Sequence, residues 1–237
     1  MKKRIWELDA FRGICVIGMV AVHFVYDLTT LYRIVNWNLP TWFEIVKNWG
    51  GVLFLLISGI SVTLGRHSLR RGALVFGCGL LVSAVTVGMY YLNMAGKGII
   101  IYFGVLQCLG VCMMVWPIFR KLPWWALAVA GCTLAATGLW LKGQPGVDTF
   151  WLMPLGLPWK HFASSDYFPL LPNLGFFLLG ATLGRTVYKK KESLLPKANE
   201  NNPIVRFFRL CGKHSLFIYL AHQPILTGVC MAIMALR

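Results

Sequence analysis

"DAFRGICVIGMVAVHFVYDL" (residues 9–28) has the length and apolarity of a membrane-spanning helix, yet Asp9, Arg12, His23 and Asp27 interrupt it. An aspartate or arginine near the bilayer centre costs about 3 kcal/mol on insertion scales, so such residues face other helices or a water-filled cavity rather than lipid. An α-helix turns about 100° per residue, and the step from Arg12 to His23 leaves an offset of only about 20°. The step from Asp9 to Asp27 closes about five whole turns. All four ionisable residues therefore share one stripe, with Val16, Met19 and Val20 filling the gap. At about 1.5 Å of rise per residue, Arg12 and His23 stand about 16 Å apart along the axis. Histidine is the side chain that changes protonation near neutrality, and Asp27, one turn further on, is placed to fix its tautomer.

The rest of the chain explains the setting of that stripe. Hydrophobic residues fill 57% of the 237 positions and charged ones 13%, about half the charged share of a soluble domain. The mean hydropathy is +0.65. Apolar stretches of about 20 residues recur, long enough to cross hydrocarbon as helix. The expected fold is an all-α polytopic membrane bundle, one domain over residues 1–237. About seven transmembrane helices are expected, near 10–32, 43–65, 70–92, 98–119, 123–142, 168–188 and 212–236.

The net charge of +15 follows this topology rather than a nucleic-acid partner. Arg66, Arg70 and Arg71, then Arg120 and Lys121, then "RTVYKKKESLLPKANENNPIVRFFRLCGKH" (185–214) fall in alternate connections. Lys2, Lys3 and Arg4 precede the first span, so the positive-inside rule puts the N-terminus in the cytoplasm and the C-terminus outside. The inner connection 189–210 is polar and basic, suited to an anionic membrane surface. The outer one, "KGQPGVDTFWLMPLGLPWKHFASSDYFPLLPN" (142–173), is rich in Pro, Gly and Trp, as in an interfacial cap or re-entrant segment. The seven cysteines lie in or beside spans without metal-like spacing, so neither a disulfide framework nor a metal site is expected. A short echo links "SGISVTLGR" (58–66) with "LLGATLGR" (178–185).

"RIWELDAFRGICVIGMVAVHF" (4–24) resembles the opening of bacterial proteins related to the heparan-α-glucosaminide N-acetyltransferase catalytic domain. It is also similar to the opening of the acyltransferase-3 family of transmembrane acyltransferases, in which an arginine and a histidine with ten residues between them mark the first helix, the spacing of Arg12 and His23. "SDYFPLLPNLGFFLLG" (165–180) and "GKHSLFIYLAHQPIL" (212–226) resemble segments of the same glucosaminide-type relatives. The resemblance implies a membrane acyltransferase that carries an acyl group, acetyl above all, from cytoplasmic acyl-CoA to a glycan or lipid-linked acceptor at the outer side. The glucosaminide enzyme has its proposed catalytic histidine in the loop after its first helix, whereas the corresponding stretch here, "TTLYRIVNWNLPTW" (29–42), contains no histidine. The resemblance to acyltransferase-3 proteins then implies His23 as the base acting on the acceptor, with Asp27 orienting it.

Further polar residues at depth take their expected roles from that reading. Ser215, Tyr219 and His222 share a face of the last span, and His222 is expected in the same cavity as His23, polarising the carbonyl or relaying a proton. Gln107 and Gln223 lie at similar depth. Asp166, Tyr167 and Asn173 approach the outer face, where they are expected to meet the acceptor. The donor acetyl-CoA needs phosphate contacts inside, and the planar fork of arginine suits phosphate. Arg12, Arg66, Arg70 and Arg185 are the candidates, with no metal expected. The competing functional class is a transporter or flippase using the stripe as a substrate or proton path.

Overall fold

The computed structural model describes residues 5–93, 97–196 and 202–236; Lys2, Lys3 and Arg4, whose charges enter the topology argument, lie outside them. Its elements are helical, in the order α1 (Trp6–Tyr26), a π turn (Asp27–Leu31), α2 (Thr41–Leu64), α3 (Ser68–Tyr91), α4 (Val105–Phe119), α5 (Trp124–Lys142), α6 (Leu170–Thr186), α7 (Pro203–Lys213) and α8 (Ser215–Ala235). Single 3₁₀ turns stand at Lys97–Ile99 and Met153–Leu155. Five of these are long and apolar enough to cross a membrane: Trp6–Leu31, α2, α3, α5 and α8.

Each expected span contains a helix, but two boundaries move. The fourth helix begins only at Val105, because Gly104 ends the extended segment and the Gln107 side chain accepts the Gly104 N–H at 3.0 Å. The last expected span opens inside a separate helix, α7, which closes at Lys213 before α8 starts. Asn202 caps α7 by accepting the Ile204 N–H at 2.9 Å, and Pro203 takes the first position, where no N–H is needed.

The helices gather into two compact units, residues 1–54 with 191–237 and residues 55–190. In the first, α1 packs along α7 and touches α8. Gly13 and Gly212 let the α1 and α7 backbones meet directly: a Cβ at Gly13 would strike the Phe208 carbonyl, and one at Gly212 the Asp9 carbonyl. Glu7, in the first turn of α1, accepts from the Ser193 hydroxyl at 2.8 Å and the Leu194 N–H at 2.7 Å.

In the second unit, α3 packs on α4 and α5 on α6. The segments that echo each other in sequence are contact partners here. Gly59 faces the Phe177 carbonyl and Gly180 the Leu56 carbonyl, so small residues bring α2 and α6 to backbone contact. Gln107, 2% exposed, ties α3 to α4 by donating to the Gly79 carbonyl at 3.0 Å and the Ser83 hydroxyl at 2.6 Å. That answers its polarity inside an apolar run.

Candidate functional site

The first unit carries the cluster that the sequence stripe foreshadows. On α1, Asp9, Gly13 and Val16 are buried and Arg12, Met19, Val20 and His23 partly so, while Phe11, Ile14 and Tyr26 are exposed. The charged stripe is thus the protein-facing side of α1. Near its start Arg12 pairs with Asp9 at 3.3 Å, their side chains 17% and 11% exposed.

Further along, the ring of His23 meets that of His222 from α8, with centroids 5.0 Å apart and planes inclined by 60°. The Nδ1 of His23 lies 3.0 Å from the Met19 carbonyl. The Nδ1 of His222 is bonded to the Tyr219 carbonyl. A carbonyl oxygen only accepts, so each Nδ1 carries the hydrogen and donates it. In the neutral rings this leaves both Nε2 atoms as lone-pair bases. The tautomer of His23 is therefore set by its own helix and not by Asp27. Side chains on a helix lean back toward its N-terminus, so the imidazole reaches the carbonyl four residues behind it rather than the carboxyl four residues ahead.

Asp27 opens the π turn, whose wider winding is marked by the Tyr32 N–H donating to the Asp27 carbonyl at 2.9 Å. Its side chain is fully enclosed, at 0% exposure. His23 and Gln223 are its electrostatic neighbours. Among the described residues, neither Asp27 carboxyl oxygen makes a hydrogen bond of ordinary geometry, and the same holds for Nε2 of His222 and Oε1 of Gln223. The carboxylate oxygens and Nε2 of His222 are acceptors, and the Gln223 amide stands beside the carboxyl as a hydrogen-bonding neighbour. Leaving a buried polar group unpaired costs about 1–3 kcal/mol, so the cluster is complementary to something that brings hydrogens, such as water, a hydroxyl or an amine.

The other residues singled out in the sequence belong to the second unit. Arg66 and Arg70 are exposed, at the end of α2 and the start of α3. Arg185 donates to the carbonyls of Arg120 and Leu122 and lies 5.2 Å over the Trp116 ring. It thereby takes up carbonyls left open where α4 ends and α5 begins. Asp166 accepts the Val105 N–H at 3.1 Å, an acidic cap on the positive end of α4. The Tyr167 hydroxyl donates to the Met153 carbonyl at 2.7 Å, and burial pushes it up to about 12. Asn173 donates to the Pro169 carbonyl at 2.8 Å. These contacts, with the aromatic cluster of Tyr102, Trp159, Phe162 and Tyr167, fold the long connection between α5 and α6.

Gln223 is the member of the cluster to which sequence reasoning gave no role. Its signal was present in "HQP", an amide beside a histidine in an apolar helix, followed by Pro224, which lacks the N–H that would close the turn behind it.

No curated protein matches the chain. A family model does: residues 4–224 match the one described as heparan-α-glucosaminide N-acetyltransferase, catalytic. The match begins just ahead of α1 and ends in α8, so it takes in Arg12, His23, Asp27, His222 and Gln223. A match over that extent, on a chain built of apolar membrane-length helices, means that the protein belongs to the heparan-α-glucosaminide N-acetyltransferase catalytic family of membrane acetyltransferases.

Proposed function

We propose that this membrane acetyltransferase takes its acetyl group from cytoplasmic acetyl-CoA and delivers it to a hydroxyl or amine of a glycan or lipid-linked acceptor at the outer side of the cell membrane. The observation that carries the reading is the pair of imidazoles 5.0 Å apart, each with its Nδ1 engaged by a backbone carbonyl. A base so held keeps its Nε2 lone pair directed away from its own helix.

In the proposed reaction the Nε2 of His23 removes the acceptor proton as the acceptor oxygen or nitrogen attacks the thioester carbon. The new C–O or C–N bond forms, the C–S bond breaks, and the proton passes from His23 to the departing thiolate to give free CoA. His222 steadies the imidazolium by accepting or relaying that proton. Asp27 and Gln223 accept hydrogen bonds from the acceptor. Arg12 holds donor phosphate, and Arg66, Arg70 and Arg185 are the further phosphate candidates at helix ends. Asp166, Tyr167 and Asn173, in the second unit, are the candidate acceptor contacts. No metal enters this scheme.

The donor half is tested with Arg12→Ala. Removing one charge-assisted phosphate contact costs about 1.5–3 kcal/mol, roughly tenfold to a hundredfold in affinity. Calorimetry in detergent should show that loss for acetyl-CoA and little change for acetyl-pantetheine, which lacks the nucleotide phosphates. Equal weakening of both ligands would assign Arg12 to the fold alone.

A further inference from the structure

α7 is the most strongly amphipathic of the eight helices, and its surface divides into three sectors. At about 100° per residue, Arg209, Lys213 and Arg206 fall within an arc of about 60°. The next arc, about 120° wide, holds Leu210, Phe207 and Ile204, which are 57%, 52% and 68% exposed. Phe208 and Gly212 lie in the remaining sector, the side turned to α1, where Gly212 and Gly13 bring the two backbones together, and the buried Cys211 sits within the apolar arc between Phe207 and Ile204.

We propose that α7 is a docking helix for anionic phospholipid, with Leu210, Phe207 and Ile204 among the acyl chains and Arg206 and Lys213 against the phosphates. Three observations choose this occupant. Arg206 and Lys213 are exposed cations and the helix carries no acidic residue, so its complement is an anion. The exposed apolar arc adjoins the basic one, so the partner must offer hydrocarbon directly beside negative charge. A lipid headgroup does this, whereas a free phosphate would use the basic arc alone. Finally, the backbone contact fixes α7 to the Asp9–Gly13 end of α1, a helix long and apolar enough to span the bilayer. The end of a spanning helix lies where hydrocarbon gives way to headgroups. Seated there, α7 anchors the end of α1 that carries the Asp9–Arg12 pair.

The test uses the full-length protein in nanodiscs of phosphatidylcholine and phosphatidylglycerol in equal amounts, with p-benzoylphenylalanine in place of Phe207. Irradiation should attach one phospholipid to the chain, with phosphatidylglycerol in clear excess. Adding Arg206→Gln and Lys213→Gln should lower that excess at least about fivefold, since each basic side chain near an anionic surface contributes about a fivefold preference. Both positions are exposed, so the charge changes leave the fold in place. The photo-reactive residue at Ile204 reports on the same face should the Phe207 position fail to express. Three results would each overturn the proposal: a cross-linked second copy of the chain in place of lipid, no lipid adduct at either position, or a lipid ratio indifferent to the two charges.

Discussion

Replacing His23 by alanine separates chemistry from folding, because the two effects differ widely in size. The side chain is half-buried, and it hydrogen-bonds Met19 in the same helix. Losing a local bond of that kind costs about 1 kcal/mol, and alanine's better helix propensity returns up to about 0.7 kcal/mol. The net effect on stability is therefore a fraction of a kcal/mol plus the lost ring contact with His222. A general base contributes about 10²- to 10⁴-fold, equivalent to about 2.7–5.4 kcal/mol of barrier. Acetyl transfer from labelled acetyl-CoA to acceptor in proteoliposomes should thus fall at least a hundredfold. The thermal midpoint and acetyl-CoA affinity of the variant should stay close to those of the parent. Asp27→Asn gives the graded comparison. It keeps the volume of a fully enclosed side chain and adds a donor that Gln223 Oε1 can receive. Since Met19 rather than Asp27 holds the tautomer, its transfer rate should drop less than that of His23→Ala, with no loss of stability. A folded His23→Ala protein that transfers acetyl at more than about a tenth of the parent rate would refute the base assignment.

Two further outcomes concern the second unit. Gln107→Leu removes the tie between α3 and α4 and leaves the buried Gly104 N–H without its acceptor; a loss of about 2–4 kcal/mol is expected, read as a lowered thermal midpoint, and an unchanged midpoint would deny the tie. For Tyr167, the hydroxyl is pushed from its usual value near 10 up to about 12 by burial, so the folded state holds the proton more tightly than the unfolded chain. Its contribution is complete below pH about 10 and is lost as the pH rises toward 12. Tyr167→Phe should therefore lower stability by about 1–3 kcal/mol at neutral pH and by progressively less across that alkaline window, followed by thermal unfolding at each pH. A penalty that grows with pH would contradict the sign.

What a linear sequence determines is whatever repeats along one helix. The apolar runs define the membrane helices because hydrocarbon leaves the backbone no partner but itself. The spacing of Asp9, Arg12, Val16 and His23 defines the protein-facing side of α1 because a charge facing lipid is costly. Helix ends were less legible. The apolar run at residues 98–119 gives no hint that α4 begins only at Val105, since a distant carboxyl, Asp166, receives the Val105 N–H. The split between α7 and α8 is likewise hidden in a run that stays apolar on one face.

Only the tertiary structure decided which polar groups meet. His23 and His222 come from opposite ends of the chain, and their 5.0 Å approach depends on how α8 lies against α1, which no spacing within either helix encodes. The same holds for Arg185, whose partners are backbone carbonyls of Arg120 and Leu122. Backbone acceptors are identical at every position, so a sequence cannot say which of them a long side chain will find. Gln107 and Gln223 look alike in sequence, each an amide in an apolar helix. Packing tied the first to α3 and to the start of α4 and set the second beside the buried Asp27 carboxyl. Whether a buried polar group is a tie or a site is a question of what lies within about 3 Å of it in other helices, and three-dimensional packing alone supplies those neighbours.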